Sequence, residues 1–164
     1  MISLSYYDSP LGRLLIRLEN NSVSGLWFPG QKHFPNELSD AVGTDSAYAQ
    51  AVHRWLDEYF AGHKPDISTL RLAPSGSEFQ HAVWDILCRI PYGCTVTYGQ
   101  IARELEQKLV RKMSAQAVGG AVGRNPISII IPCHRVIGAK GALTGYAAGV
   151  DKKVALLKFE AESK

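Results

Sequence analysis

Ser114-Ala115-Gln116-Ala117-Val118-Gly119-Gly120-Ala121-Val122-Gly123-Arg124-Asn125-Pro126-Ile127-Ser128-Ile129-Ile130-Ile131-Pro132-Cys133-His134-Arg135-Val136-Ile137-Gly138 joins a helix rich in small residues to an apolar run that ends in a cysteine. Ser114 suits a helix cap, because its hydroxyl can accept an N–H that the first turn leaves unpaired. Ala115, Val118, Gly119 and Val122 then share one side of a helix, and Asn125-Pro126 ends it. Glycines cost roughly 1 kcal/mol each in mid-helix relative to alanine. Gly119-Gly120 therefore points to close approach of another backbone, either a helix or a phosphate chain. Residues 127–131 read as a buried extended run that delivers Pro132-Cys133-His134-Arg135 at its end.

Working back from this stretch, Ser77-Glu78-Phe79-Gln80 is a capping box. It opens a helix with Phe79, Val83, Ile86, Leu87 and Ile90 inward, stopped at Pro91. Thr97-Tyr98-Gly99-Gln100 is a second box, opening a short helix with Ile101, Ala102 and Leu105 inward. Residues 106–112 are polar and read as a connection. Short helix, connection and small-residue helix together resemble a helix-turn-helix, although the connection is long for that motif. Forward of the stretch lies a loop with Gly141, Gly145 and Gly149. Asp151 is then expected to cap a last helix with Val154, Leu156 and Leu157 apolar. The other end of the chain differs in period. The first 28 residues read as strands, with Leu14, Ile16 and Leu18 alternating and turns at Pro10-Leu11-Gly12 and Asn20-Asn21. Residues 29–45 read as loop. A helix from Ser46 to Phe60 buries Tyr48, Val52, Trp55, Leu56 and Tyr59, and Gly62 ends it. Pro65, Pro74 and Gly76 mark residues 62–76 as a linker. The fold class is α+β, in two halves: residues 1–76 and residues 77–164.

The 164 residues are 46% apolar and 20% charged, which excludes disorder as a description of the whole. No run approaches the ~18 apolar residues of a membrane span. The start has no basic end followed by an apolar stretch, so a cytoplasmic protein is expected. Cys88, Cys94 and Cys133 form neither a CxxC pair nor a Cys/His zinc spacing, so free thiols and no metal are expected. Residues 1–76 carry 6 Lys/Arg against 8 Asp/Glu, whereas residues 77–164 carry 12 against 7. Within residues 103–140 the count is 7 to 2. Such a local excess fits either a polyanion partner or a solvated basic face.

Cys133 is the sharpest chemical candidate. A free cysteine is mostly thiol at neutral pH and needs a base or a cation to react. His134 and Arg135 supply both types, but neighbours in extended chain point to opposite sides, so a water between His134 and the sulfur is the easier geometry. The competing reading is a cysteine packed as a small hydrophobe. Arg135 fits a buried carboxylate pair or a substrate contact. Tyr98 fits packing at a helix start. His33, His53, His63 and His81 show no ligand spacing.

Pro132-Cys133-His134-Arg135-Val136 resembles the active-site signature of the O6-alkylguanine-DNA alkyltransferases (methylated-DNA–protein-cysteine methyltransferases). Phe79-Gln80-x-x-Val83-Trp84, Ile90-Pro91-x-Gly93, Thr97-Tyr98-Gly99-Gln100-Ile101-Ala102, Ala117-Val118-Gly119, Asn125-Pro126 and Gly145-Tyr146 follow the family order. The resemblance is strong over residues 77–160 and one of layout over residues 1–76. It implies a small ribonuclease-H-like sheet-plus-helix half and a mostly helical half with a helix-turn-helix. It also implies repair of DNA by direct reversal. By that resemblance the protein is expected to bind double-stranded DNA containing O6-alkylguanine at the minor groove, flip the base, and move the alkyl group once to a cysteine. On that resemblance Cys133 is the acceptor, His134 its base through a water, and Glu160 the carboxylate that orients the histidine. Tyr98 binds the flipped base and offers a proton. Asn125 ties the helix end to the active-site strand, and Tyr146 borders the base. Carbonyls at Cys133 and Val136 meet the exocyclic amine, and the Ala147 N–H meets O6. Ser114, Ala115, Gln116, Gly119, Gly120, Arg111 and Arg124 are expected at the DNA, and Arg135 is structural. No cofactor, no membrane and no obligate protein partner is implied, and a monomer is expected.

Two departures stand out. The family has an arginine where this chain has Gln116, so the group that fills the gap of the flipped base is neutral and shorter. Residues 103–114 form a longer and more basic inter-helix segment than the usual short turn, and Arg111 or Lys112 is placed to supply phosphate contacts. The rival readings are a non-catalytic alkyl-lesion DNA-binding protein of the same fold, which would lack the cysteine, and a thiol hydrolase or redox protein. The latter needs an oxyanion hole or a resolving cysteine, and the sequence shows neither.

Overall fold

Asn20 and Asn21 both sit at positive φ, 51° and 60°. That is the two-residue turn that matches strand twist, and asparagine tolerates it. It joins β2 (Gly12–Glu19) to β3 (Ser22–Trp27), while Pro10-Leu11 joins β1 (Ile2–Ser9) to β2. The computed structural model describes residues 2–35, the backbone of 42–43, and residues 47–163. Val42–Gly43 is a short β4 inside the segment expected as loop. It pairs parallel with β1, giving the order β3-β2-β1-β4. The rest of that segment's expected loop, residues 36–41 and 44–46, and the Ser46 end of the expected helix lie outside the described residues. Leu14, Leu15 and Ile16 are all fully buried, so β2 is covered on both faces and does not follow simple alternation.

Ala47–Phe60 forms α1, with Ala49, Val52, Trp55, Leu56 and Tyr59 buried. Tyr7 Oη donates to Asp57 at 2.7 Å, fastening the helix to β1. The expected linker is partly structured. Ile67–Thr69 is a 3-10 turn, and the segment then bonds the edge of β3, Val23 N–H to Arg71 O and Ala73 N–H to Val23 O. The chain divides into two compact units, Met1–Ser75 with Pro126–Ser128, and Gly76–Asn125 with Ile129–Lys164.

In the second unit both capping boxes form. Ser77 caps α2 (Glu78–Cys88) and Thr97 caps α3 (Tyr98–Leu109). Ser114 caps α4 (Ala115–Gly123), its Oγ accepting the Ala117 N–H. Three expectations are corrected. The polar stretch after Leu105 is helical as far as Leu109, because Glu106, Gln107 and Lys108 are good helix formers that need no burial. The α3–α4 connection is therefore only residues 110–114. Residues 127–131 are buried but not a strand. Ile127 alone bridges Leu26, and Ile129 turns at φ 70°. Prolines at both ends supply no N–H, and Ile131 O is taken by the Cys133 N–H and by Asn125 Nδ2 at 2.9 Å. Finally, Asp151 lies inside α5 (Val150–Glu162), whose cap is Gly149 at φ 108°.

Candidate active site

Cys133–Arg135 is a single 3-10 turn that leads into β6 (Val136–Ile137), which pairs parallel with β5 (Val96–Thr97). The tripeptide is thus curled, not extended, so the opposite-sides argument does not apply to Cys133 and His134. Both are buried, as is Arg135. Burial is the largest influence on the Cys133 thiol and pushes its pKa up. The Asn125 side chain, the Lys153 charge and the Tyr146 hydroxyl pull it back. The resting sulfur is therefore a protonated thiol that requires a base.

That base has one free ring nitrogen. His134 Nε2 lies 2.6 Å from Glu160 Oε2. A nitrogen facing a carboxylate carries the proton, which leaves the lone pair on Nδ1. Nδ1 is buried and has no hydrogen-bond partner among the described residues. Burial holds the imidazole below its ordinary pKa, outweighing the opposite pull of Glu160, so His134 is neutral. Burial alone would raise the Glu160 pKa. Hydrogen bonds from His134 and Arg135 overcome it and keep the carboxylate ionised. Arg135 Nε donates to Oε1 at 2.8 Å and Nη2 to Oε2 at 3.0 Å, the fork geometry of guanidinium on carboxylate. Arg135 Nη1 also donates to Ile90 O, its guanidinium lies 5.5 Å over the Tyr92 ring, and the Gly93 N–H reaches Glu160 Oε1. The Ile90-Pro91-Tyr92-Gly93 turn is thus the rear wall of the carboxylate.

Other expected residues are placed around this centre. Val136 is buried in β6, and its N–H donates to the Cys133 carbonyl, leaving that oxygen one further lone pair. Tyr146 and Ala147 are half-buried after Gly145, which turns at φ 54°. Tyr98, at the first position of α3, donates its hydroxyl to Thr144 O at 3.4 Å. Of the mid-helix glycines, Gly119 faces the Tyr98 ring, where an added Cβ would lie 3.8 Å away, and Gly120 faces open space. Ser114, Ala115, Gln116, Ala117 and Gly120 are exposed, all of them small but Gln116, with Arg111, Lys112 and Arg124 exposed nearby in sequence.

The sequence reading missed Lys153. Its apolar stripe for α5 was Val154, Leu156 and Leu157, yet the buried residues are Lys153, Leu156 and Glu160, and Val154 is exposed. The spacing of three and then four is a helical face. Its two charged members conceal it from a hydrophobic scan.

A family model described as the 6-O-methylguanine DNA methyltransferase DNA binding domain matches residues 78–162. The ribonuclease-like domain of the same family matches residues 2–74. A methylated-DNA–protein-cysteine methyltransferase of Methanosarcina mazei is 50% identical over 152 residues, 93% of this chain and 92% of the relative. One from Haemophilus influenzae is 41% identical over 95% of this chain and 84% of its own length. The crystal structure of Mycobacterium tuberculosis O6-methylguanine methyltransferase has a TM-score of 0.84 at 37% identity, covering 100% of this chain and 95% of that one. The crystal structure of Mycobacterium tuberculosis OGT in complex with DNA has a TM-score of 0.81 at 37% identity, over 99% and 93% of the two chains. The chain belongs to the 6-O-methylguanine DNA methyltransferase family.

Proposed function

We propose that this chain is a suicidal methylated-DNA–protein-cysteine methyltransferase, acting on O6-alkylguanine in double-stranded DNA in the cytoplasm. The observation that carries the reading is the buried Cys133 thiol beside a neutral His134 whose one proton is committed to Glu160. His134 Nδ1 takes the Sγ–H proton through a bridging water. The sulfur then attacks the alkyl carbon, an S–C bond forms, and the C–O6 bond breaks with its electron pair leaving on guanine. Tyr98 gives a proton to the departing guanine and regains one from solvent as the His134 imidazolium releases the proton it took from sulfur, and the Ala147 N–H stabilises O6 as charge develops there. The products are an S-alkyl cysteine and unmodified guanine. A thioether is not hydrolysed by this machinery, so each molecule acts once.

DNA binding falls to a helix-turn-helix of α3 and α4. The exposed small residues Ala115, Ala117 and Gly120 admit the walls of the minor groove, and Gly119 lets α4 lie against the Tyr98 ring. Ser114 caps that helix beside the backbone, and Arg111 and Arg124 meet phosphates. Gln116 stands where the flipped base leaves a gap and offers hydrogen bonds without charge. The test is the intact mass of the protein after incubation with a duplex holding one O6-methylguanine. A gain of one methylene unit that saturates at one per molecule, absent in Cys133→Ala, is expected. Lesion-bound protein with no gain would instead favour the non-catalytic binder.

A further inference from the structure

Lys153 is fully buried, yet it makes no ion pair with a carboxylate among the described residues. An ammonium in such a place must be compensated by other means. Its Nζ donates to Thr144 O at 2.9 Å and to Gly145 O at 3.3 Å. It also lies 5.8 Å from the centroid of the Tyr98 ring. Each partner belongs to the active site or to the loop that carries Tyr146 and Ala147. The same face of α5 that holds Glu160 against His134 therefore holds a cation against the 144–145 backbone.

The Thr144 carbonyl is shared. It accepts the Tyr98 hydroxyl at 3.4 Å and Lys153 at 2.9 Å, so the tyrosine is the weaker of its two donors. The proposed reaction requires that hydroxyl to turn to the flipped base. A carbonyl that keeps a charged donor when the hydroxyl leaves holds its place, whereas one that loses both donors frees its loop to move. We infer that Lys153 is a positioning residue: it keeps the Thr144 carbonyl satisfied while the Tyr98 hydroxyl moves to the base, and it pins the 144–147 segment through the handover. This rests on the proposed function. It adds a residue that acts through a backbone carbonyl and never touches the alkyl group.

Single-turnover transfer from a duplex with one O6-methylguanine tests this in wild type, Lys153→Met, Tyr98→Phe and the double variant. Alkylation of Cys133 by iodoacetamide is followed in parallel, since it needs the thiolate but neither the flipped guanine nor Tyr98. Loss of Lys153 is expected to slow transfer about 10- to 100-fold, the scale of one hydrogen bond from a charged donor. In the Tyr98→Phe background the same change should cost about threefold or less, because no handover remains to protect. Lys153→Arg, which keeps donors, should recover much of the loss, and iodoacetamide should slow less than transfer does. The same factor in both backgrounds would overturn the proposal. So would equal slowing of transfer and iodoacetamide, which would make Lys153 only a thiolate counter-charge. If Lys153→Met does not fold, Lys153→Ala, which also lacks a donor, takes its place in the cycle. A wild type that transfers no methyl group would remove the functional reading itself, an outcome distinct from either of these.

Discussion

His63 with Glu58, and His134 with Glu160, make nearly the same contact and differ in everything around it. The first pair closes at 2.7 Å with side chains 62% and 56% exposed. The second closes at 2.6 Å with side chains 0% and 1% exposed. Water screens the first, and pairs of that kind contribute about 0–1 kcal/mol. The second has no water to screen it and is sustained by Arg135, the Gly93 N–H and the pair's own hydrogen bond. Distance alone therefore does not mark a functional site. Burial, a third partner and an unpaired nitrogen on the far side of the ring do.

The largest effect is expected where Glu160 or Arg135 is removed. Arg135→Met leaves a buried carboxylate without its fork, and a loss of about 3–5 kcal/mol in urea unfolding is expected. Glu58→Ala should cost less than about 1 kcal/mol in the same assay. Equal losses would mean that burial does not separate the pairs. Acid sharpens the contrast. The unfolded chain binds the histidine proton near 6.5, whereas buried His134 resists it, so stability is lost as pH falls through 6.5. Glu160, held well below its ordinary 4.5, extends that loss below 4.5 as the unfolded carboxylate protonates first. Urea midpoints from neutral pH downward should show the decline, and Glu160→Gln should flatten its lower part. At the DNA face, Gln116→Arg should steepen the fall of log binding constant with log salt by about 0.9, one phosphate's worth of released counterion. An unchanged slope would deny position 116 any electrostatic part. The smallest effect lies in the α3–α4 connection. Val110 sits at φ 53° and is 88% exposed, so it holds a left-handed conformation with no packing in return. Val110→Gly should raise stability by up to about 1 kcal/mol in thermal unfolding.

Features encoded within four residues were readable from the sequence. The boxes at Ser77 and Thr97, the Ser114 cap and the Asn20-Asn21 turn each depend on side chains beside the backbone they bond. What escaped depends on distant partners. The run 127–131 looks like a strand by composition, but its carbonyls and N–H groups are engaged by Leu26, Asn125 and Cys133. The curl at Cys133–Arg135 follows from those contacts, not from local preference. The end of α3 was hidden because a solvent-facing turn of Glu, Gln and Lys reads as loop in hydropathy. Lys153 and Glu160 were concealed by their own charge on a buried helical face. Cys133, by contrast, stood out because its neighbours are the types a thiol needs. The residues beyond its neighbours, Glu160 and Tyr98, were reached through the family resemblance.

The relay is tested most directly by single-turnover methyl transfer in His134→Gln beside His63→Gln. A loss of about 10²- to 10⁴-fold is expected at His134, the range for a general base, with both proteins folded and the His63 variant at the wild-type rate. Transfer by His134→Gln at the wild-type rate would contradict it, because the Cys133 thiol would then need no base.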